Sequence, residues 1–151
     1  PSPSAVGPGA LRTEITAASG PQVLINAAAP TLCLTVDASA PQGLAQARLQ
    51  PCADGANQRW AMQAEGVLGD ARVFNGGFCL DNWGARGRVG DAVGTFTCVP
   101  GAPTQTWVRT AAGEVRMSNG LCVAPAASPA AGVAATLATC TGATEQRWVY
   151  G

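Results

Sequence analysis

The sequence predicts an all-β fold made of three copies of one structural unit. A motif of two cysteines and Gln-x-Trp occurs three times, short β-forming runs alternate with turn residues, and no segment shows an apolar period of 3.6 over three turns. The motifs are Cys33, Cys52, Gln58 and Trp60; Cys79, Cys98, Gln105 and Trp107; and Cys122, Cys140, Gln146 and Trp148. The spacing barely varies, which indicates threefold internal symmetry and up to three versions of any binding site.

Each copy is predicted to open with two short strands joined by a turn. The first strands are expected at 23–25, 73–74 and 115–117, and turns rich in Asn, Gly or Pro follow at 26–30, 75–77 and 118–120. The second strands surround the first cysteines, at 32–34, 78–80 and 121–123. Each opening is therefore a hairpin that ends at a cysteine.

The remaining two strands of each copy follow a glycine turn. Gly43, Gly90 and Gly132 lie eight or nine residues before the second cysteines, where a tight turn needs positive φ. A third strand then runs into the second cysteine, and a fourth carries the tryptophan, at 60–62, 107–109 and 148–150. The alanine-rich stretch 124–138 contains two prolines and a glycine, so we expect loop and strand there instead of helix.

Four strands in three copies make twelve, and a barrel with a cap would leave no exposed strand edges. A propeller is less suitable, since three blades are fewer than the usual four to eight. The prediction is a single β-trefoil domain over 22–151, with repeats at about 22–65, 66–110 and 111–151. Residues 1–21, rich in Pro, Ser, Ala and Gly, are expected to be a linker that follows a signal peptide or an upstream domain, or a disordered terminus without a role.

Six cysteines in three equivalent pairs indicate disulfides formed in an oxidising compartment. No two cysteines are closer than 18 residues, so there is no Cys-x-x-Cys metal knuckle. The repeat selects the pairs Cys33–Cys52, Cys79–Cys98 and Cys122–Cys140. Each should stabilise the fold by about 3 kcal/mol through loop closure. We therefore expect a secreted, extracellular protein, and no apolar run is long enough to insert into a membrane.

Composition excludes several functions. The formal net charge is zero and only 12% of residues are charged, which gives no case for nucleic acid or an anionic membrane as partner. The chain has no histidine and no lysine, so histidine-based catalysis and Schiff-base chemistry are excluded. The only carboxylates to consider as a glycosidase pair, such as Asp81 and Asp91, show no pattern that places them in one cleft. We expect no enzyme activity, no cofactor and no metal.

Paired cysteines, a glycine turn and a closing Gln-x-Trp in three repeats resemble the ricin-type β-trefoil lectin domain, which is also found as a carbohydrate-binding module attached to glycosidases and toxins. The resemblance covers about residues 22–150. It implies that the tryptophans are core residues and that the glutamine amides hold turns. It also implies a sugar site made of an Asp two residues after the first cysteine, an aromatic residue two before the second, and an Asn before Gln-x-Trp.

The second repeat matches this pattern best. Asp81 would accept hydrogen bonds from two sugar hydroxyls, and Phe96 would stack on the apolar face of the sugar. Gly94 and Thr104 replace polar residues of the family, and Asn82 and Trp83 are candidates for a substitute amide and ring. The alternative role of Asp81 is a turn-capping carboxylate.

The other two repeats match less well. The first has Asn57 in place but Thr35 and Gln50 at the Asp and aromatic positions, with Asp37 two residues beyond. Asp37 and Asn57 thus form a second, incomplete candidate set. The third has Ala124, Ala138 and Glu145, which indicates scaffold only.

The sequence therefore favours a non-catalytic, lectin-like module with one main shallow sugar site, in the second repeat. Its partners would be glycans or glycoproteins, with polysaccharide and a larger secreted or cell-surface assembly left open. A single shallow site binds weakly, so avidity would need oligomers or repeated ligands. The alternative is a structural or protein-interaction trefoil that has lost sugar binding, and an inhibitory trefoil would leave no recognisable signature.

Overall fold

The computed structural model describes residues 22–37, 45–53, 55–62, 68–70, 78–84, 86–99 and 101–150. These residues contain twelve β-strands and three 3₁₀ helices of a single turn. The strands are β1 (Gln22–Asn26), β2 (Leu32–Thr35), β3 (Arg48–Pro51), β4 (Arg59–Met62), β5 (Leu68–Asp70), β6 (Phe78–Asn82), β7 (Val93–Thr97), β8 (Trp107–Arg109), β9 (Val115–Met117), β10 (Cys122–Pro125), β11 (Ala135–Ala138) and β12 (Trp148–Tyr150). Within that part of the chain, no helix has the length and apolar character needed to span a membrane.

The first and fourth strands of the repeats link one repeat to the next. The antiparallel pairs β4–β5 and β8–β9 join neighbouring repeats, and β12 returns to pair with β1. In that last pair Leu24 lies opposite Tyr150 and Asn26 opposite Trp148, so the two ends of the described chain are joined. The closed order protects strand edges that would otherwise be exposed.

The second and third strands form three antiparallel hairpins, β2–β3, β6–β7 and β10–β11. Isolated bridges connect the hairpins in a cycle: Gln46 with Gly94, Ala92 with Thr136, and Ala134 with Arg48. Each bridge joins the residue six before the second cysteine of one repeat to the residue four before that of another. The three hairpins are therefore related by the same threefold symmetry as the first and fourth strands.

The Gln-x-Trp motif ties each hairpin to the fourth strand. The glutamines end the 3₁₀ helices Ala56–Gln58, Pro103–Gln105 and Thr144–Gln146. In every repeat the glutamine Oε1 accepts from the backbone N–H one residue after the second cysteine, and Nε2 donates to the carbonyl one residue before it. One glutamine side chain thus bonds the backbone on both sides of the second cysteine. These bonds satisfy the hydrogen-bonding groups of the buried amide and of the loop backbone.

The tryptophans of the motif are in the core and at most 1% exposed. Each indole Nε1 donates to the carbonyl one residue after the first cysteine: Trp60 to Leu34 at 3.0 Å, Trp107 to Leu80 at 3.0 Å and Trp148 to Val123 at 3.1 Å. They pack with leucines, valines and small alanines from all three repeats. Three bulky rings thus fill the centre of a core whose other side chains are aliphatic.

The structure confirms the β-trefoil and the three disulfides, with Cα separations of 5.0, 5.0 and 5.3 Å. Gly90 and Gly132 have φ values of 92° and 89°, as the glycine turns require. The 3₁₀ helices were not predicted, and neither was β5 at Leu68–Asp70, the last described strand before the second hairpin. Residues 1–21, Gly43 and 73–77 lie outside the described residues.

Replacing Trp107 with alanine is expected to lower the free energy of unfolding by about 3–5 kcal/mol, because it leaves a large cavity in the core. Trp107→Phe keeps most of the packing but leaves the Leu80 carbonyl without its indole donor, so we expect a smaller loss of about 1–3 kcal/mol. Urea unfolding of the oxidised protein measures both values. An alanine variant as stable as the wild type would contradict the core role of this ring.

Candidate functional site

The two faces of the β6–β7 hairpin have different surroundings. Side chains alternate along a strand, and residues opposite each other in the pair point the same way. Leu80, Thr95 and Val93 are fully buried on the inner face. Asp81 lies opposite Gly94, and Cys79 opposite Phe96, on the outer face.

Asp81 is on the outer face but is only 9% exposed. Its Oδ2 atom accepts a hydrogen bond of 2.8 Å from Gln105 Nε2, and no other described residue donates to this carboxylate. Asp81 lies in β6 and not in a turn, so the structure does not place it as a turn cap. Gln105 holds the carboxylate in one orientation and leaves Oδ1 without a donor from the described residues.

Phe96 provides an exposed ring next to this carboxylate. It is 40% exposed, unlike the tryptophans of the core. Because Phe96 is the diagonal neighbour of Asp81 across the strand pair, the two residues are about 7–8 Å apart at the backbone. The structure therefore brings the predicted acceptor and the predicted platform to one face.

Trp83 continues the same face beyond Asp81. Its backbone N–H donates to the Ala92 carbonyl at 3.0 Å, which extends the pairing of the two strands. Its ring lies over Gly94, and Nε1 donates to the Thr95 carbonyl at 3.3 Å. Trp83 is half-buried, so the structure places this candidate residue beside Asp81 with partial exposure to solvent.

Asn82, another predicted site residue, points the other way. It is 1% exposed, and its Oδ1 accepts from the Gly87 backbone N–H at 2.6 Å. Its Nδ2 lies 3.4 Å from Asp91 Oδ2. This side chain organises the loop after β6, and its burial does not favour direct contact with a ligand.

Asp91 completes that loop network. Its Oδ1 pairs with Arg86 at 2.9 Å, and its Oδ2 accepts from the Arg88 backbone N–H at 3.1 Å. The Arg88 N–H, followed by the Asn82 amide and the Arg86 guanidinium, lowers the pKa of Asp91 against the opposing effect of burial. Both carboxylate oxygens of Asp91 thus have structural partners, which does not favour a catalytic pair with Asp81.

The equivalent positions of the first repeat lack the acidic acceptor and the ring. Thr35 Oγ1 accepts from Gln58 Nε2 at 3.0 Å, the place that Asp81 occupies towards Gln105. Asn57 donates to the Val36 carbonyl at 2.8 Å. Asp37, which follows Val36 in the chain, is exposed. Asp37 and Asn57 therefore lie near each other, but Gln50 stands where the second repeat has its phenylalanine.

The third repeat has neither group. Ala124 is buried and Ala138 is half-buried at the acid and aromatic positions, and Glu145 is half-buried in its 3₁₀ helix. The only group of potential metal ligands among the described residues, Glu114 with Cys122 and Cys140, contains the two sulfurs of a disulfide, which are not thiolates. At the positions equivalent to Asp81 and Phe96, all of which the structure describes, the second repeat alone combines a carboxylate with an exposed aromatic residue.

Sequence reasoning missed two contributors to this site. The bond from Gln105 to Asp81 joins residues 24 positions apart, and no local pattern reveals it. The packing of Trp83 on Gly94 was also not foreseen, although a glycine inside a predicted strand signals the close approach of another group. Both contributors act by fixing the position of a predicted site residue.

Stability is expected to fall as the pH drops below about 4, in part because of Asp91. Its pKa is depressed in the folded state, so the unfolded chain, with a pKa of about 3.9, takes up the proton first on acidification. The contribution is complete at neutral pH and is lost as the pH falls through the lower folded pKa. Urea unfolding should show that Asp91→Asn has a lower free energy of unfolding than the wild type at pH 7, and that this difference shrinks as the pH falls below about 4. A difference independent of pH would contradict the assignment.

Comparisons with known proteins agree with the architecture. The family model described as the ricin-type β-trefoil lectin domain matches residues 21–148. Searching the curated proteins gave no match.

Among solved structures, the mdaA-1 domain aligns with a TM-score of 0.74 at 18% identity, over 87% of this chain and 89% of that one. The agglutinin of Abrus precatorius aligns at 0.74 and 20% identity over 93% of this chain, which spans 49% of the agglutinin chain. The C-half of an earthworm R-type lectin, solved in complex with GalNAc, aligns at 0.72 and 14% identity over 87% of this chain and 98% of that one. At these identities the likeness shows the shared fold.

Proposed function

The chain belongs to the ricin-type β-trefoil lectin family, and on that premise we propose that it is a carbohydrate-binding module whose main site is the outer face of the second hairpin. Carbohydrate binding is supported at the level of the family, whose members are generally non-catalytic. The observation that carries the location is the pairing of Asp81 with Phe96. The equivalent pairs are Thr35 with Gln50 in the first repeat and Ala124 with Ala138 in the third.

The chemistry of this face suits a sugar. A carboxylate accepts hydrogen bonds from two neighbouring hydroxyls, and charge-assisted bonds of this kind are about twice as strong as neutral ones. Gln105 donates to one oxygen of Asp81 and so orients the group before a ligand arrives. Phe96 supplies an apolar surface for the C–H face of the pyranose. Polar capture and stacking therefore act on one sugar ring from adjacent positions.

Partners and location follow from the same premise. The expected partners are glycans, glycoproteins or polysaccharide, because Phe96 is exposed on the outer face of the hairpin, where an extended ligand can reach it. Three disulfides suit an oxidising compartment, so we propose that the protein is secreted and acts alone or within a larger extracellular assembly. Residues 1–21 are proposed as a linker before one domain at 22–151.

A protein-interaction trefoil without sugar binding is the second candidate. It is favoured by the 9% exposure of Asp81 and by Gly94 and Thr104, which stand where the family pattern has polar side chains. Exposed Val99, three residues after Phe96 in the sequence, would then belong to a protein contact instead of a sugar site. A binding experiment with glycans separates the two candidates.

A glycan array with the whole chain, followed by calorimetry on the glycans that bind, tests the proposal. Asp81→Asn keeps the size of the side chain but removes its charge, and the loss of about 1.5–3 kcal/mol corresponds to tenfold or greater weakening. Phe96→Ala should weaken binding to a similar extent by removing the platform. The matched controls Thr35→Ala and Gln50→Ala change the equivalent positions of the first repeat and should leave binding unchanged.

If a control variant loses as much glycan affinity as the test variants, the assignment of the site to the second repeat is wrong. Binding unaffected by both test variants would contradict the proposed residues. Absence of binding to any glycan would favour the protein-interaction alternative.

A further inference from the structure

We propose that Trp83 forms a second aromatic subsite, so that the second hairpin takes a disaccharide or longer glycan in preference to a single sugar. The inference rests on the proposed function, since it extends the same face. Four observations carry it: the face that Trp83 shares with Asp81, the packing of its ring on Gly94, its partial exposure, and its absence from the other repeats.

The order of groups along the outer face is Phe96, Asp81 and Trp83. Phe96 and Cys79 are opposite each other, Asp81 and Gly94 come next, and the backbone bond from Trp83 to Ala92 adds the following pair. The carboxylate therefore lies between two aromatic residues that belong to the same face. The indole lies over Gly94, and Phe96 is two residues further along β7, so a ligand that meets both rings must extend along that strand.

Gly94 is the residue that lets Trp83 occupy this place. A Cβ atom at position 94 would lie 2.6 Å from Trp83 Cζ2 and 2.5 Å from the Ala45 carbonyl oxygen, both too close. The backbone of Gly94 is not left-handed, so glycine is needed here for space and not for conformation. The indole thus takes the volume above β7 that a polar side chain would fill in the family pattern.

The spacing of the two rings suits neighbouring sugars. Gly94, beneath the indole, and Phe96 are two residues apart on β7, which is about 7 Å along a strand. That separation exceeds the thickness of one pyranose and is comparable to its length. A sugar held by Asp81 and Phe96 would therefore place its linked neighbour over Trp83.

The other repeats lack this second ring. Residues four after the first cysteine are Asp37 in the first repeat and Ala126 in the third, where Trp83 stands in the second. Trp83 is also the only one of the four tryptophans with partial exposure, because Trp60, Trp107 and Trp148 are at most 1% exposed. Collisional quenching of tryptophan fluorescence in solution therefore reports mainly on Trp83.

The test compares methyl glycosides of galactose, N-acetylgalactosamine, glucose, mannose and xylose with disaccharides of the same sugars. Calorimetry on the wild type should show one sugar class whose disaccharide binds about two- to tenfold more tightly than its monosaccharide, as one added aromatic contact implies. Trp83→Ala should weaken disaccharide binding more than monosaccharide binding and so remove that preference. Trp83→Phe retains a ring and should keep most of the preference.

A second readout does not depend on a variant that folds. Acrylamide quenching of the wild type should fall when the disaccharide is bound and fall less with the monosaccharide. Equal weakening of both sugars in Trp83→Ala, or unchanged quenching at saturating disaccharide, would overturn the second subsite while Asp81-dependent binding upholds the proposed function. If no sugar of the panel binds, or if Asp81→Asn binds as the wild type does, the proposed site itself fails, and the subsite with it.

Discussion

Each repeat depends on one buried glutamine. Its amide bonds the backbone on both sides of the second cysteine, and the tryptophan two residues later donates to the carbonyl after the first. A hairpin, a disulfide and a fourth strand are thereby held in one arrangement, repeated three times. In the second repeat the same amide also donates to Asp81, so the scaffold and the proposed site share Gln105. Substitution of Gln105 would therefore affect both the stability of the fold and binding at the proposed site.

The cyclic closure of the cap explains why the three copies can differ in function. Bridges between hairpins are made by backbone groups, and their partners at equivalent outer positions are Arg48, Gly94 and Thr136, so side chains of different size are compatible with the same closure. Substitution on the outer faces is thus compatible with the same fold, and the repeats carry Thr35, Asp81 and Ala124 at one equivalent position. The repeated geometry positions the equivalent residues of each copy, and the differences between copies are the basis of the proposal that the second face binds.

The sequence predicted the fold well because the fold is set by residues that recur. The cysteine pairs predict the disulfides, the glycines predict the turns, and the Gln-x-Trp motifs predict the core tryptophans. The site was harder, since it depends on which way each side chain points. Strand alternation would have shown that Asn82 follows the buried Leu80 on the inner face, whereas the contact of Trp83 with Gly94 requires the turn after β6 to fold back over β7. That turn has no repeated counterpart from which it could be inferred.

The central claim is that the main binding site is the outer face of the second hairpin. Two-dimensional ¹H–¹⁵N NMR of the labelled chain, titrated with a glycan that binds, tests it most directly, because each tryptophan contributes its own indole signal. The account predicts shifts in the backbone amides of β6 and β7 and in the Trp83 indole, with the indoles of Trp60 and Trp148 unchanged. Shifts centred on the first or third hairpin, with the second unaffected, would contradict it.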